Sequence, residues 1–443
     1  MNALAALAGA VSAAAEEIGF ARAGGVVTGV TPGMYHVAGL SPLAALGDLV
    51  RIETDSGETL GEVVRIDPEI TLVKPFDRDE GAALGHRCWR LGPHRLAPHE
   101  SWLGRVVDAL GRPIDGEGPL TQGAIRRASA GDPPAALTRA RVGGRVRTGV
   151  RALDVFAPLA AGQRIGVFAG SGVGKSTLLS MLARALDFEA VVVALVGERG
   201  REVREFLEDS LGAARSRATV VVATADESAM MRRLAPRAAV TIAEYHRSAG
   251  RSTLLIVDSI TRYAHALRES ALSAGEPPVA RGYPPSVFSD LPRLLERVGP
   301  GEEGAGAITG VFSVLVDGDD HNDPVADAIR GALDGHVVLS RAVADEGRYP
   351  AIDILRSISR LAPRVWSAEE RRLAQSLRAM IARFEDTRDL RLMGGYKQGG
   401  DSELDRALAM TPKIYAFCAQ SPDEPASTDA FRDLAAALRV EAA

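Results

Sequence analysis

Residues 164–182 read Arg164-Ile-Gly-Val-Phe-Ala-Gly-Ser-Gly-Val-Gly-Lys-Ser-Thr-Leu-Leu-Ser-Met-Leu182. An apolar, strand-like run from Ile165 to Ala169 meets a glycine-rich turn, and an apolar-periodic helix with Leu178, Leu179 and Leu182 follows. Strand, turn, Lys-Ser and helix in that order make a phosphate-binding loop. Glycines let the backbone fold tightly enough for successive N–H groups to converge on an anion, and the helix adds the positive end of its dipole. Gly170, Ser171, Gly172, Val173, Gly174, Lys175, Ser176 and Thr177 are therefore expected to wrap nucleotide phosphates. Lys175 would reach the outer phosphates, and the Ser176 hydroxyl would ligate Mg²⁺. The motif departs from G-x-x-x-x-G-K-[ST] at its first glycine, which is Ala169 here. That position ends the strand, where a small side chain can serve.

Working outward, residues 151–360 alternate strands with helices. Val191–Val196, Ala218–Ala223 and Thr253–Val257 are continuous apolar runs, as in parallel strands covered on both faces. Helical patterns such as 201–211 and 230–249 lie between them. Ligand chemistry in such sheets gathers at the carboxyl ends of strands. Two carboxylates stand there. Asp258 ends the strand 253–257, suited to Mg²⁺, and Glu198 follows 191–196, suited to orienting or deprotonating a water. The bland alternative for Glu198 is a solvated charged turn, given neighbours Arg199, Arg201 and Glu202.

The flanks read differently. From Gly24 to Leu91, short β-rich runs separated by Gly, Pro, Asp and Ser indicate a small β-barrel without evident chemistry of its own. Gly104–Gly116 reads as a strand and a Gly/Pro turn, and a Pro/Arg-rich connection from Pro133 to Arg147 leads into the phosphate-loop region. After Pro363 the strand signal disappears, and 368–388, 402–419 and 427–441 read as helices. Leu4, Leu7, Val11 and Ile18 recur at helical spacing in an alanine-rich start, either a docking helix or a frayed terminus. The expected division is a helical segment at 1–19, a barrel at 20–91, an α/β core with a parallel sheet at 92–362 and a helical domain at 363–443.

The chain has 443 residues, 46% of them apolar and 25% charged, with a net charge of −5. This is the balance of a soluble globular protein and argues against a dedicated nucleic-acid surface. Two cysteines, Cys88 and Cys418, do not suggest a disulfide framework. No apolar run reaches the roughly 18 residues a transmembrane helix needs.

Further stretches carry a resemblance. Gly197-Glu-Arg-Gly-Arg-Glu202, Asp258-Ser-Ile-Thr-Arg-Tyr-Ala264 and Pro350-Ala-Ile-Asp-Ile-Leu-Arg-Ser-Ile-Ser-Arg360 resemble the catalytic subunits of the rotary ATP synthase superfamily. Arg268–Phe288, with its Glu-Pro-Pro and Gly-Tyr-Pro-Pro-Ser-Val-Phe, resembles the narrower group of type III protein-export ATPases, most closely its flagellum-specific branch. Gly318–Pro324, Leu333–Arg341 and Gly394–Asp401 agree with it. The resemblance spans about residues 20–420 and implies a RecA-like P-loop NTPase core. Val316-Asp317 departs from the family's usual Thr-Glu.

What the resemblance implies goes residue by residue. Lys175 and Ser176 match the phosphate and Mg²⁺ ligands, Glu198 the catalytic carboxylate with Arg199 after it, and Asp258 the Mg²⁺-side aspartate. Arg262 matches a phosphate-side arginine. Arg360 matches the arginine finger given to a neighbouring subunit. Tyr349 matches the aromatic that stacks on adenine, and Phe417 a second apolar wall. Tyr349 could otherwise be an ordinary core aromatic, and the arginines ion-pair partners. The implied activity is Mg²⁺-dependent ATP hydrolysis by a homohexamer that drives flagellar export. The implied partners are stator, regulatory and stalk proteins, export chaperones and cargo, with a cytoplasmic location peripheral to the inner membrane and no nucleic acid. An injectisome ATPase is the near alternative, and a rotary synthase or proton-pump subunit a further one. An RNA translocase would need aromatic stacking platforms, and the barrel segment is aromatic-poor.

Overall fold

The computed structural model describes residues 23–77, 81–316 and 323–439. The stripe from Leu4 to Ile18 lies outside the described residues, as does most of the Gly318–Pro324 motif. The chain divides after His94 into two units.

The first unit is a closed antiparallel barrel. Its strands are β1 (Gly24–Thr31), β2 (Met34–Ala38), β3 (Asp48–Thr54), β4 (Gly57–Ile66), β5 (Ile70–Pro75) and β6 (Arg87–Pro93), in spatial order β1-β2-β5-β4-β3-β6. Period-2 alternation turns Val50 and Ile52 of β3 inward, where they meet Val27, Tyr35, Val37 and Val73. Register shifts at Val27/Gly29, Leu49/Val50 and Val63/Arg65 bend the strands toward closure. Closure removes the unpaired edges that a six-stranded open sheet would leave.

The second unit is built on an eight-stranded sheet. Its strands are β7 (Val106–Asp108), β8 (Arg164–Ala169), β9 (Ala190–Val196), β10 (Ala218–Ala223), β11 (Ser252–Asp258), β12 (Ala307–Leu315), β13 (Gly335–Leu339) and β14 (Ile358–Ser359). The order is β14-β13-β8-β12-β11-β9-β10-β7, and every pairing is parallel except β13 with β14. Every residue of β9 and of β10 is buried, which their uninterrupted apolar runs require. The short strand of the Gly104–Gly116 stretch becomes the far edge of this sheet beside β10.

Helices cover both faces. α1 (Lys175–Ala183) follows the phosphate loop. α2 (Ala229–Ser248) packs on β9, β10 and β11 and begins at a Ser228 cap, whose hydroxyl accepts from the Met231 amide at 3.1 Å. α3 (Ile260–Ser273) starts at a Ser259 cap on Arg262 N, and α4 (Pro285–Glu296) and α5 (Pro324–Ala332) carry proline in their first turns. Behind α4, Arg297 is 2% exposed and pairs with both oxygens of Glu244 on α2 at 2.9 and 2.7 Å. It also donates to the Ser129 carbonyl at 2.5 Å, clipping the upstream connection to the core.

The C-terminal helices are α6 (Ala368–Asp386), α7 (Ser402–Cys418) and α8 (Ala430–Arg439). A Ser367/Glu370 capping box opens α6. Leu377, Ile381, Ile414 and Leu434 share one hydrophobic core with Phe156, Leu182 and Ile352. Arg378 of α6 reaches across to the carbonyls of Phe156 at 3.0 Å and Ser357 at 2.8 Å. Among the described residues no helix is long and apolar enough to cross a membrane.

Candidate active site

The phosphate loop leaves β8 at Ala169, which is buried and bonded through its carbonyl to Val316 N at 3.1 Å. Gly174 closes the turn with φ +85° and serves as the N-cap of α1, a left-handed conformation costly to any residue with a side chain. Val173 is buried under the loop, while Ser171, Gly172, Ser176 and Thr177 are exposed on its open side. Arg341, which begins the turn after β13, donates to the Ser171 carbonyl at 2.8 Å and steadies the loop tip.

Two carboxylates converge on the lysine. Lys175 Nζ donates to Asp258 Oδ1 and stands 3.7 Å from Glu198 Oε1. Asp258 ends β11, and the neighbouring strand β12 contributes Ser313, whose hydroxyl donates to the same Oδ1 at 2.7 Å. Among the described residues, both side-chain hydrogen bonds to Asp258 fall on Oδ1, which leaves the Oδ2 lone pairs unused there. Glu198 follows β9 through Gly197, which has φ +67° and an amide bonded to Ala223 O at 2.6 Å. A Cβ on Gly197 would come within 2.8 Å of Arg262 Cδ, so the turn needs glycine both for its backbone angle and for its space.

Arg262, on the first turn of α3, donates to the Gly197 carbonyl and lies 3.5 Å from Glu198 Oε2. Glu198 is 8% exposed, and its Oε1 is buried without a hydrogen-bond partner among the described residues. An orphaned buried carboxylate oxygen is costly unless something else binds it. Burial first, and then the nearby Asp258 carboxylate, push Glu198 up to about 7 against the opposing pull of Lys175 and Arg262.

The other expected residues stand farther out. Tyr349 is 44% exposed, with its ring over the phosphate loop, where a Cβ on Gly174 would touch Tyr349 Cδ1 at 3.4 Å. Phe417 lies at the end of α7, 7% exposed in the shared core, with the Arg151 guanidinium 5.7 Å from its ring centre. Arg199 points outward and pairs with Glu202 at 3.7 Å.

Arg360 follows the edge strand β14 and is exposed. Its amide bonds to Asp334 O at 2.9 Å, and the Asp334 carboxylate accepts from Arg164 N, at the first residue of β8. Arg360 therefore belongs to the amino end of the sheet. The five residue steps along β8 put it about 17 Å from the end that carries the loop.

Ser313 and Arg341 are site contacts that the sequence reading missed. Ser313 sits inside the apolar run 307–315, where a single serine carries no spacing signal. Arg341 ends the Leu333–Arg341 stretch, and its partner Ser171 is 170 positions away.

The profile of the ATP synthase alpha/beta family, nucleotide-binding domain, matches residues 149–359, and that of the T3SS EscN ATPase C-terminal domain matches 366–436. A flagellum-specific ATP synthase of Rhizobium meliloti (strain 1021) is 56% identical over 99% of this chain and 94% of its own length. Another, from Agrobacterium fabrum, is 56% identical over 94% of this chain and 88% of its own. Among solved structures, the assembled ATPase EscN in complex with its central stalk EscO, from enteropathogenic E. coli, superposes with a TM-score of 0.86. It is 38% identical and covers 94% of this chain and 100% of that one. With a phosphate loop, a lysine between two carboxylates and relatives of this identity along nearly its whole length, the chain is an ATPase and belongs to the flagellum-specific ATP synthase family.

Proposed function

We propose that this chain hydrolyses ATP by in-line attack of water on the γ-phosphate, as one subunit of a homohexameric ring that energises type III export of flagellar proteins. The observation that carries the chemistry is the meeting of Lys175, Glu198 and Asp258 at the carboxyl ends of β8, β9 and β11. Phosphoryl transfer asks for positioning and charge stabilisation more than covalent help. The loop amides and Lys175 would hold the phosphates. Glu198 Oε1, buried beside Lys175 and without a hydrogen-bond partner among the described residues, would accept a hydrogen bond from the attacking water and align it. Arg262 would brace Glu198 from behind, while Arg199 pairs with Glu202 at the surface.

The donor set fits Mg²⁺. The Ser176 hydroxyl and Asp258 Oδ2 are hard oxygen ligands, and this ion is typically held by one or two such groups plus substrate phosphates and water. Held by these residues, it would supply positive charge against the transferring phosphate. Tyr349 would stack on the adenine from its place above Gly174, with Phe417 contributing to the apolar wall behind.

Arg360 would complete the neighbouring subunit's site. Its support is position: more than one side-chain length separates it from its own phosphate loop, and it pairs with no carboxylate among the described residues. A ring of identical copies then supplies both halves of every site. The EscN relative is described as assembled and in complex with a central stalk. By analogy, this ring would take a stalk protein, regulatory or stator subunits, and export chaperones with cargo, at the cytoplasmic face of the inner membrane. The flagellar reading is preferred to the injectisome one because the 56% identical relatives carry the flagellar name and the injectisome structure is 38% identical.

The test has two arms. Purified protein should release phosphate from ATP, and Lys175→Ala should not. A strain lacking the chain should lose motility and regain it with the wild-type chain but not with Lys175→Ala. Near-normal turnover by the variant would sink the site, and a motile deletion strain would sink the flagellar role.

A further inference from the structure

The Tyr349 ring has no tether of its own. No hydrogen bond among the described residues holds its hydroxyl, and the side chain is 44% exposed. Its position over Gly174 is therefore set by whatever fixes the backbone on either side. On the far side, a bridge between Leu339 and Ile352 ties the chain to the end of β13, and Ser340 N bonds to Ala351 O at 2.9 Å. On the near side the Arg348 amide bonds to Val343 O at 3.2 Å, and further anchors come from α7. The Gln420 amide, just past the helix, donates to the Tyr349 carbonyl at 2.7 Å. The Gln420 side chain is locked in turn: Nε2 donates to Gly149 O at 2.9 Å, and Oε1 accepts from Arg151 N at 3.1 Å.

The residue before Tyr349 is held by α7 as well. The Arg348 guanidinium lies 3.8 Å from the centre of the Tyr415 ring, and Glu346 takes both its Nε and Nη2 at 2.9 and 2.6 Å. Tyr415 is aimed by its hydroxyl, which donates to Glu385 of α6 at 2.5 Å. The stack lines a hollow of about 610 Å³, and the Tyr415 ring also rests edge-on against Phe384. A planar cation against a π face is directional, and it fixes a side chain that packing leaves loose.

We propose that Arg348 and Tyr415 are positioning residues for the base: their stack, with the Gln420 bond, sets where the Tyr349 ring stands. This rests on the reading of Tyr349 as the base-stacking aromatic. It makes the end of α7, rather than the sheet alone, the part that sets nucleotide affinity. Neither residue touches the phosphate loop, so the chemical step is spared.

The experiment measures kcat and KM for ATP in the full chain with Tyr415→Leu, Tyr415→Phe and Arg348→Gln, each with and without Tyr349→Ala. Tyr415→Leu and Arg348→Gln should raise KM roughly three- to thirtyfold with kcat within about twofold of wild type. Tyr415→Phe keeps the ring but loses its bond to Glu385, and its KM should fall between those of wild type and Tyr415→Leu. In the Tyr349→Ala background, where KM is already high, neither change should raise it further, because there is no ring left to place. An unchanged KM in Tyr415→Leu and Arg348→Gln, while Tyr349→Ala raises it, overturns the inference alone. So does an equal rise in both backgrounds, which marks a merely structural contact. An unchanged KM in Tyr349→Ala overturns the base-stacking reading and the inference with it. If Tyr415→Leu fails to fold, Arg348→Gln, at a half-buried side chain, carries the same comparison.

Discussion

The two ends of the eight-stranded sheet are built on opposite plans. At the carboxyl end the site charges are tied to fixed partners: Lys175 to Asp258 and Glu198, Arg262 to Glu198 and the Gly197 carbonyl, Asp258 to Ser313. At the amino-end edge, Arg360 is exposed and pairs with no carboxylate among the described residues. A charge cluster can be held ready for a ligand only where the surrounding backbone locks it, and that locking needs burial. A single exposed arginine has no such constraint. The carboxyl end is pre-organised within the chain, whereas Arg360, beside the Arg164–Asp334 pair of the amino end, is free to act on a neighbouring copy under the proposed reading.

The largest effects should come from the carboxyl end. Lys175→Ala removes the cation shared by Asp258 and Glu198 and should bring phosphate release below detection, with ATP binding lost as well. Glu198→Gln should also silence turnover yet leave ATP bound, since the amide still fits but no longer orients water as a base would. Equilibrium binding of a fluorescent ATP analogue separates the two, and tight binding by Lys175→Ala would break the picture of that end.

Arg360→Ala should fall next, by roughly 10³–10⁵ in turnover if the finger acts in trans, with melting temperature and ATP binding unchanged. Mixing Arg360→Ala with Glu198→Gln subunits sharpens the comparison. Sites are rebuilt wherever an Arg360→Ala chain, still holding Glu198, sits beside a Glu198→Gln chain that lends Arg360, at about a quarter of the interfaces in randomly mixed rings. Activity should return to a measurable fraction of wild type. Complete silence from verified mixed rings would place Arg360 within its own chain and dissolve the contrast between the ends.

Gly197→Ala is expected to be smaller. The left-handed backbone and the close approach of Arg262 should cost about 1–3 kcal/mol of stability. Displacement of the adjoining Glu198 should lower turnover more than it raises KM. Thermal melts and steady-state kinetics check both. The smallest effect should be that of Arg341→Gln. Loss of one hydrogen bond to the Ser171 carbonyl, about 0.5–1.5 kcal/mol, should weaken ATP binding roughly two- to tenfold without touching the fold. A larger loss of turnover than of binding would move Arg341 from a support of the loop into the chemistry.

Local chemistry made much of this legible in the residues. The phosphate loop is a contiguous strand, turn and helix, so its spacing alone identifies it. The runs at β9, β10 and β11 announce buried parallel strands by the length of their apolar stretches, and Glu198 and Asp258 are marked as site residues by following them directly. The barrel announces itself by short β-rich runs separated by turn residues between Gly24 and Leu91. Helices α6, α7 and α8 follow from the end of the strand signal and the return of helical spacing.

Tertiary structure alone decided what joins distant parts of the chain. Strand order put β12 beside β11 and so gave Asp258 its Ser313 partner. It carried Val106–Asp108 to the far edge of the sheet, and it set Arg360 at the end opposite the phosphate loop. Arg341 on Ser171, Arg348 on Tyr415 and Gln420 on Tyr349 depend on backbones that meet only after folding. Period and motif report which way a side chain faces within its own element. Which element lies opposite is settled by the packing of whole layers, whose free energy is spread over many weak contacts and leaves no mark on any short stretch of residues.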